Sequence, residues 1–197
     1  MEKRKYQMTF RAEKVTQNDQ RIMSAIVGLW EELPINEITL DKVASRAEVT
    51  VRTILRKFGS KEGLMEACIE NDAAGRRKVR DLAKPGDYRN ALKILLDDYE
   101  KLGDASVRTL AVEDELPIAK TILEKGRASH REWCMKVFAP DLPESNTSNY
   151  EHSLLTFITA TEFYLWKLLR RDLNKSYEET FEVFKTLLEG LIQRKFP

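Results

Sequence analysis

The chain reads as all-α in two parts, an N-terminal three-helix head over residues 1–63 and a helical body over residues 64–197. Three observations carry that reading. Apolar residues recur at three- and four-residue spacing from Ile22 to Ile192, the period of a helix with one buried face. No stretch alternates in the manner of a strand. Thr16–Asp19, Ser148–Glu151 and Ser176–Glu179 also have the spacing of capping boxes, in which each end of a short motif satisfies an orphan amide at a helix start.

The elements follow in order. Residues 1–15 are polar and basic, and the Thr16 box predicts a first helix with Ile22, Ala25, Ile26, Leu29 and Trp30 on one face, ended by Pro34. Residues 39–64 read as two short helices around a tight turn and then a third helix start. Val43, Ala44, Ala47, Val49, Ile54 and Phe58 supply small and apolar contacts where the two helices cross. Thr50 is placed to cap the second of them. Ser60 opens a longer helix from Lys61 to Leu82, stopped by KPGD at 84–87. Leu92, Leu95, Leu96, Tyr99 and Leu102 mark one further segment, and Val107, Leu110 and Ala111 the next. Pro117 suits the first turn of a helix through Val137, which Gly126 can kink or split. The last two boxes open helices at 149–171 and 177–195.

The second motif helix turns Arg52, Thr53, Arg56 and Lys57 away from its apolar face. The whole stretch AEVTVRTILRKFGSKEGL, residues 47–64, resembles the helix-turn-helix of the TetR (tetracycline-repressor) family. The likeness rests on Ala47, Val49, Thr50, Ile54, Phe58, Ser60, Lys61, Glu62 and Leu64. Glu48 stands where that family usually has Gly, and Leu55 where it usually has Tyr. A non-Gly residue in a left-handed turn costs roughly 1 kcal/mol, and Leu55 lacks the hydroxyl that the family's Tyr gives to a phosphate. The resemblance implies a homodimer that binds double-stranded DNA at a palindromic operator and is released by a small-molecule effector. It assigns phosphate contacts to Thr39, Lys57 and Lys61. Thr50 opens the recognition helix, and Val51, Arg52 and Thr53 are candidates for base edges, where Arg grips guanine and Val meets a thymine methyl. Arg56 suits either role, and the basic segment Lys3–Lys14 can reach an adjacent groove. A helical carrier or interaction protein without specific DNA binding is the alternative that Glu48 and Leu55 leave open.

Charge is nearly balanced at +1 but unevenly spread. Residues 1–80 carry 16 Lys/Arg against 12 Asp/Glu, and residues 81–197 carry 17 against 20, as suits a nucleic-acid-reading head on a different body. No run approaches the roughly 18 apolar residues of a membrane span, so the expected setting is the cytoplasm with no membrane partner. Cys68 and Cys134 form no paired motif and read as buried free thiols. The only two histidines, His130 and His152, have no metal-site spacing, and no Gly-rich phosphate loop exists. No enzyme, metal or cofactor is expected.

The last two helices carry more apolar residues than one buried face needs, so a second face is expected to pair with another copy. Leu154, Ile158, Leu165, Leu169, Phe181, Phe184, Leu188 and Leu191 are the candidates for that dimer interface. For an effector cavity, which needs an apolar wall with few polar anchors, the candidates are Tyr99, Leu110, Glu113, Trp133, Val137, Phe157, Thr161, Glu162 and Trp166. Glu162, inside the apolar run TFITATEFYLW, can anchor a cationic or amine-bearing ligand, or pair with Lys167, Arg170 or a partner helix.

Overall fold

The computed structural model describes the backbone of residues 2–193 and the side chains of residues 17–71 and 75–193. Among the described residues it is helical, with no strand. The first helix, α1 (Glu2–Glu32), begins well before the expected Thr16 box. Neither Pro nor Gly interrupts residues 2–16, and Ala12, Glu13 and Lys14 favour helix, so nothing there starts a helix afresh. The side chains of Lys3–Lys14, and with them the expected groove contact, lie outside the described residues.

After Pro34 and a 3-10 turn at Ile35–Glu37 come α2 (Leu40–Ala47), α3 (Val51–Phe58) and α4 (Lys61–Arg80). Thr39, Thr50 and Ser60 cap them, each accepting from the amide three residues on. The head closes on a core of Ile22, Ile26 and Leu29 from α1, Ile35 and Ile38 from the turn, Val43 and Ala47 from α2, and Ile54 from α3. Leu64, Met65 and Cys68 join it. The first turns of α4 therefore belong to the head's packing and its remainder runs into the body.

In the body, one uninterrupted helix, α5 (Tyr88–Leu110), replaces the two expected segments. Gly103 does not interrupt it. The glycine instead makes room for Trp166, whose Cζ3 lies 2.2 Å from where a Cβ would stand. Likewise α6 (Pro117–Val137) passes through Gly126 without splitting. The expected helix 149–171 is divided, into α7 (Tyr150–Ala160), α8 (Phe163–Lys167) and a π turn over Leu168–Asp172. Thr161 turns its hydroxyl back to the Phe157 carbonyl at 2.7 Å, and Glu162 is extended, with its carboxylate accepting from the Phe163 amide at 3.1 Å. The Ser148 box does not form, since the N-cap residue of α7 is Asn149, with no side-chain cap bond. The Ser176 box does, with Glu179 N to Ser176 Oγ at 3.1 Å and Ser176 N to Glu179 Oε2 at 2.8 Å, opening α9 (Tyr177–Gln193). The body's core gathers Leu92, Leu95 and Leu96 with Trp133, Phe138, Phe157, Trp166 and Phe184.

Candidate DNA-binding surface and ligand cavity

The turn between α2 and α3 is left-handed at Glu48, with φ 52° and ψ 45°. Its amide reaches the Ala44 and Ser45 carbonyls, and Val49 N donates to Ala44 O at 2.9 Å, so the last carbonyls of α2 are satisfied despite the missing Gly. The Glu48 carboxylate pairs with Arg21 of α1. On α3, Thr50 Oγ1 caps Thr53 N at 3.2 Å and shares a 2.9 Å bond with the Thr53 hydroxyl, so these two hydroxyls satisfy one another. Val51 is half-buried against the head core. Arg52 and Arg56 are exposed.

The remaining phosphate candidates are more constrained than their sequence suggested. Lys57 is tied to Asp19 of α1 and stands 5.7 Å over the Phe58 ring. Lys61 is half-buried, 3.4 Å from the Ile35 carbonyl. Thr39 accepts from Lys42 N at 3.2 Å and is exposed. Leu55, not among the expected contact residues, is 41% exposed on α3. Its outward direction follows from its place between Arg52 and Arg56, the one signal that the sequence held for it.

A cavity of about 120 Å³ lies where α1, α4, α5 and α6 meet the α7–α8 break. Tyr99 and Glu162, both expected, line it. Arg80, Leu102, His130 and Phe163, none of them expected, line it too. The other expected wall residues are elsewhere. Trp133, Val137, Phe157 and Trp166 lie in the core behind the cavity, because large rings at helical spacing fill the helix–helix seams. Thr161 is buried and bonded to His130. Leu110 is outside the lining, and Glu113 holds Arg127 at the rim through two bonds of 2.5 and 2.8 Å. A smaller pocket of about 50 Å³ shares Trp30, Ile69, Arg76 and Ile122 with it.

Within the cavity Arg80 and Asp98, only 13% and 14% exposed, pair at 2.6 Å, and the guanidinium stands 5.9 Å over both Tyr99 and Trp133. Tyr99 donates its hydroxyl to the Thr161 carbonyl at 2.9 Å, and burial pushes its pKa well above the ordinary value. His130 stacks on Trp133 at 5.7 Å. Its Nε2 meets the Thr161 hydroxyl at 3.1 Å; since that hydroxyl donates to Phe157, Nε2 carries the proton. Burial, with Arg80 nearby, pulls the His130 pKa down to about 3, so the ring is neutral. Burial also pushes the Cys134 thiol up to about 12, which leaves it an unreactive packing group. The Glu162 carboxyl is raised by burial, against the pull of the Phe163 amide and the Arg127 and Arg80 charges.

Of the expected dimer residues, Leu154, Phe184 and Leu188 are wholly buried in the protomer. They are corrected to core positions, since a side chain with no exposed area cannot touch a second copy. Ile158, Leu165, Leu169, Phe181 and Leu191 are half-buried. The apolar residues that α7 and α9 leave outward are Leu155, Val183 and Leu187, at 48%, 42% and 42% exposure. Four-residue spacing puts Val183 and Leu187 on one face of α9. No helix of the described residues is long and apolar enough to cross a membrane.

Residues 22–68 match the family of bacterial regulatory proteins, tetR family. A Bacillus subtilis (strain 168) protein described as an uncharacterized HTH-type transcriptional regulator, YvkB, is 28% identical over 89 residues. That match covers 44% of this chain and spans 47% of the relative's length.

Proposed function

We propose, on the premise that residues 22–68 give this chain the head of a TetR-family regulator, that it is a homodimeric repressor released from a near-palindromic DNA site by a small molecule in its body. The observation that carries DNA reading is the state of the α3 cations. Arg21, Arg46 and Lys57 of the head are held in ion pairs, whereas Arg52 and Arg56 are exposed and have no ion pair among the described residues. Cations left uncommitted on the outer face of a capped, rigid helix suit base edges and phosphates. The left-handed Glu48 turn supports the same reading, because it joins α2 to α3 through residues 48–50 alone, the short turn of a helix-turn-helix.

Dimerisation is supported by the outward Leu155, Val183 and Leu187, and effector release by the cavity's position. Its wall includes Ile69, Arg76 and Arg80 of α4, the helix that begins one turn after α3 ends. An occupant that prefers one setting of α4 shifts the spacing of the two heads and hence DNA affinity.

The test is fluorescence anisotropy on DNA selected from a random pool, across several salt concentrations. Wild type is expected to select a palindrome and to lose affinity steeply with salt. Arg52→Ala is expected to lose about 1–3 kcal/mol of discrimination at one base pair of each half-site. If no sequence is enriched and Arg52→Ala matches wild type, the regulator reading fails and the helical carrier or interaction protein, favoured by the exposed Leu55, takes its place.

A further inference from the structure

Pairing in the cavity is unequal. Arg80 is neutralised by Asp98 at 2.6 Å, and Arg127 by Glu113 at 2.5 Å. Glu162 has no such counter-ion among the described residues. Of the pairings that its sequence allowed, the two within the chain are occupied elsewhere, since Lys167 pairs with Asp172 at 2.8 Å and Arg170 with Glu100 at 2.6 Å. The one bond recorded for its carboxylate comes from the neutral Phe163 amide. A largely buried carboxylate without a cation is costly unless something else satisfies it.

His130 lines the same cavity. It is 5% exposed, and its Nδ1 is buried without a hydrogen bond. With the proton on Nε2 and directed at Thr161, which is outside the lining, Nδ1 is the lone-pair nitrogen left for an incoming donor. A carboxylate without a counter-ion and an unbonded ring nitrogen, in a cavity also walled by Leu102, Tyr99 and Phe163, call for a ligand with N–H donors and an apolar body. A cavity of about 120 Å³ has room for roughly four waters at liquid density, so the ligand is small.

We propose that this cavity takes a small organic amine, its ammonium against the Glu162 carboxylate, one N–H directed to Nδ1 of His130, and its apolar body along Leu102, Tyr99 and Phe163. The assignment rests on the cavity being the effector site. Arg80 and Arg127 do not oppose it, because each is already joined to its own carboxylate.

Three small probes of similar size and different charge test it on the full chain by titration calorimetry: isobutylamine, isobutanol and isobutyrate. The amine is expected to bind at least tenfold more tightly than the other two. Glu162→Gln is expected to bring it down to the alcohol's affinity, and Glu162→Asp to restore most of the preference. Unchanged affinity for the alcohol in Glu162→Gln shows that the cavity itself is intact. Ser106→Trp, which fills the cavity from α5, is expected to abolish all binding. If the alcohol or the carboxylate binds as tightly as the amine and Ser106→Trp blocks it, the amine assignment is overturned while the effector site stands. Amine binding that survives both Glu162→Gln and Ser106→Trp overturns the assignment by locating the ligand elsewhere. Binding of none of the three overturns the assignment and the effector site together.

Discussion

His130 shows what a single buried group can impose. It stacks on Trp133 and directs Nε2 to Thr161, and burial holds its pKa at about 3 against an ordinary 6.5. A base whose folded pKa is depressed contributes its stability fully above the unfolded pKa. That contribution is lost as pH falls from about 6.5 toward 3, by up to about 1.4 kcal/mol per pH unit. Urea unfolding between pH 7 and pH 4 should therefore show a steeper loss for wild type than for His130→Phe. Parallel curves would refute the buried-neutral account. Gly103 acts through absence. A Cβ there would stand 2.2 Å from the ring of Trp166, which is itself fixed by a 2.7 Å bond from its indole to Glu100. Gly103→Ala gains about 1 kcal/mol of helix propensity but forces the ring to move, at about 1–3 kcal/mol. The expected outcome is a net loss of stability in chemical denaturation, and a more stable variant would show that the ring can yield.

At the scale of elements, head and body meet through the ends of α1 and α5. Arg108 donates to the Trp30 and Glu31 carbonyls at 3.2 and 2.6 Å, and Trp30 Nε1 donates to Thr109 Oγ1 at 2.8 Å. A cation on the last carbonyls of α1 satisfies acceptors that the helix leaves open and opposes its dipole. Arg108→Met should cost about 1–2 kcal/mol and raise hydrogen exchange at the end of α1. Unchanged exchange there would mean that this contact holds nothing. Local signals at this scale succeeded where one short motif sufficed, as in the reciprocal Ser176–Glu179 box. They failed at the Ser148 box and the α7–α8 break, because a capping pattern carries no information about contacts between distant residues, such as that of Trp166 with Gly103.

For the whole molecule, the proposed dimer hangs on the outward row of α7 and α9. Leu187→Glu, 42% exposed and away from the core, should leave the protomer folded. In a dimer it would bury an unpaired charge in an apolar interface. Sedimentation should show monomers, with DNA affinity reduced because two half-sites are no longer bound together. A dimer that persists would locate the interface on another face.

The sequence by itself determined the helical class, the caps at Thr50 and Ser60 and the six apolar residues that join α2 to α3. Each of these depends on neighbours within a few positions, where periodicity and capping chemistry act directly. It also identified Glu162 as an exception inside an apolar run, and Tyr99 as a cavity residue. Only the tertiary structure decided which rings are wall and which are core, that Lys57 is tied to Asp19, and that Leu155, Val183 and Leu187 face outward while Leu154, Phe184 and Leu188 face in. It also brought His130 of α6 into one cavity with Glu162. Those choices depend on the rotation of each helix about its axis and on contacts between residues tens of positions apart, and a local pattern encodes neither.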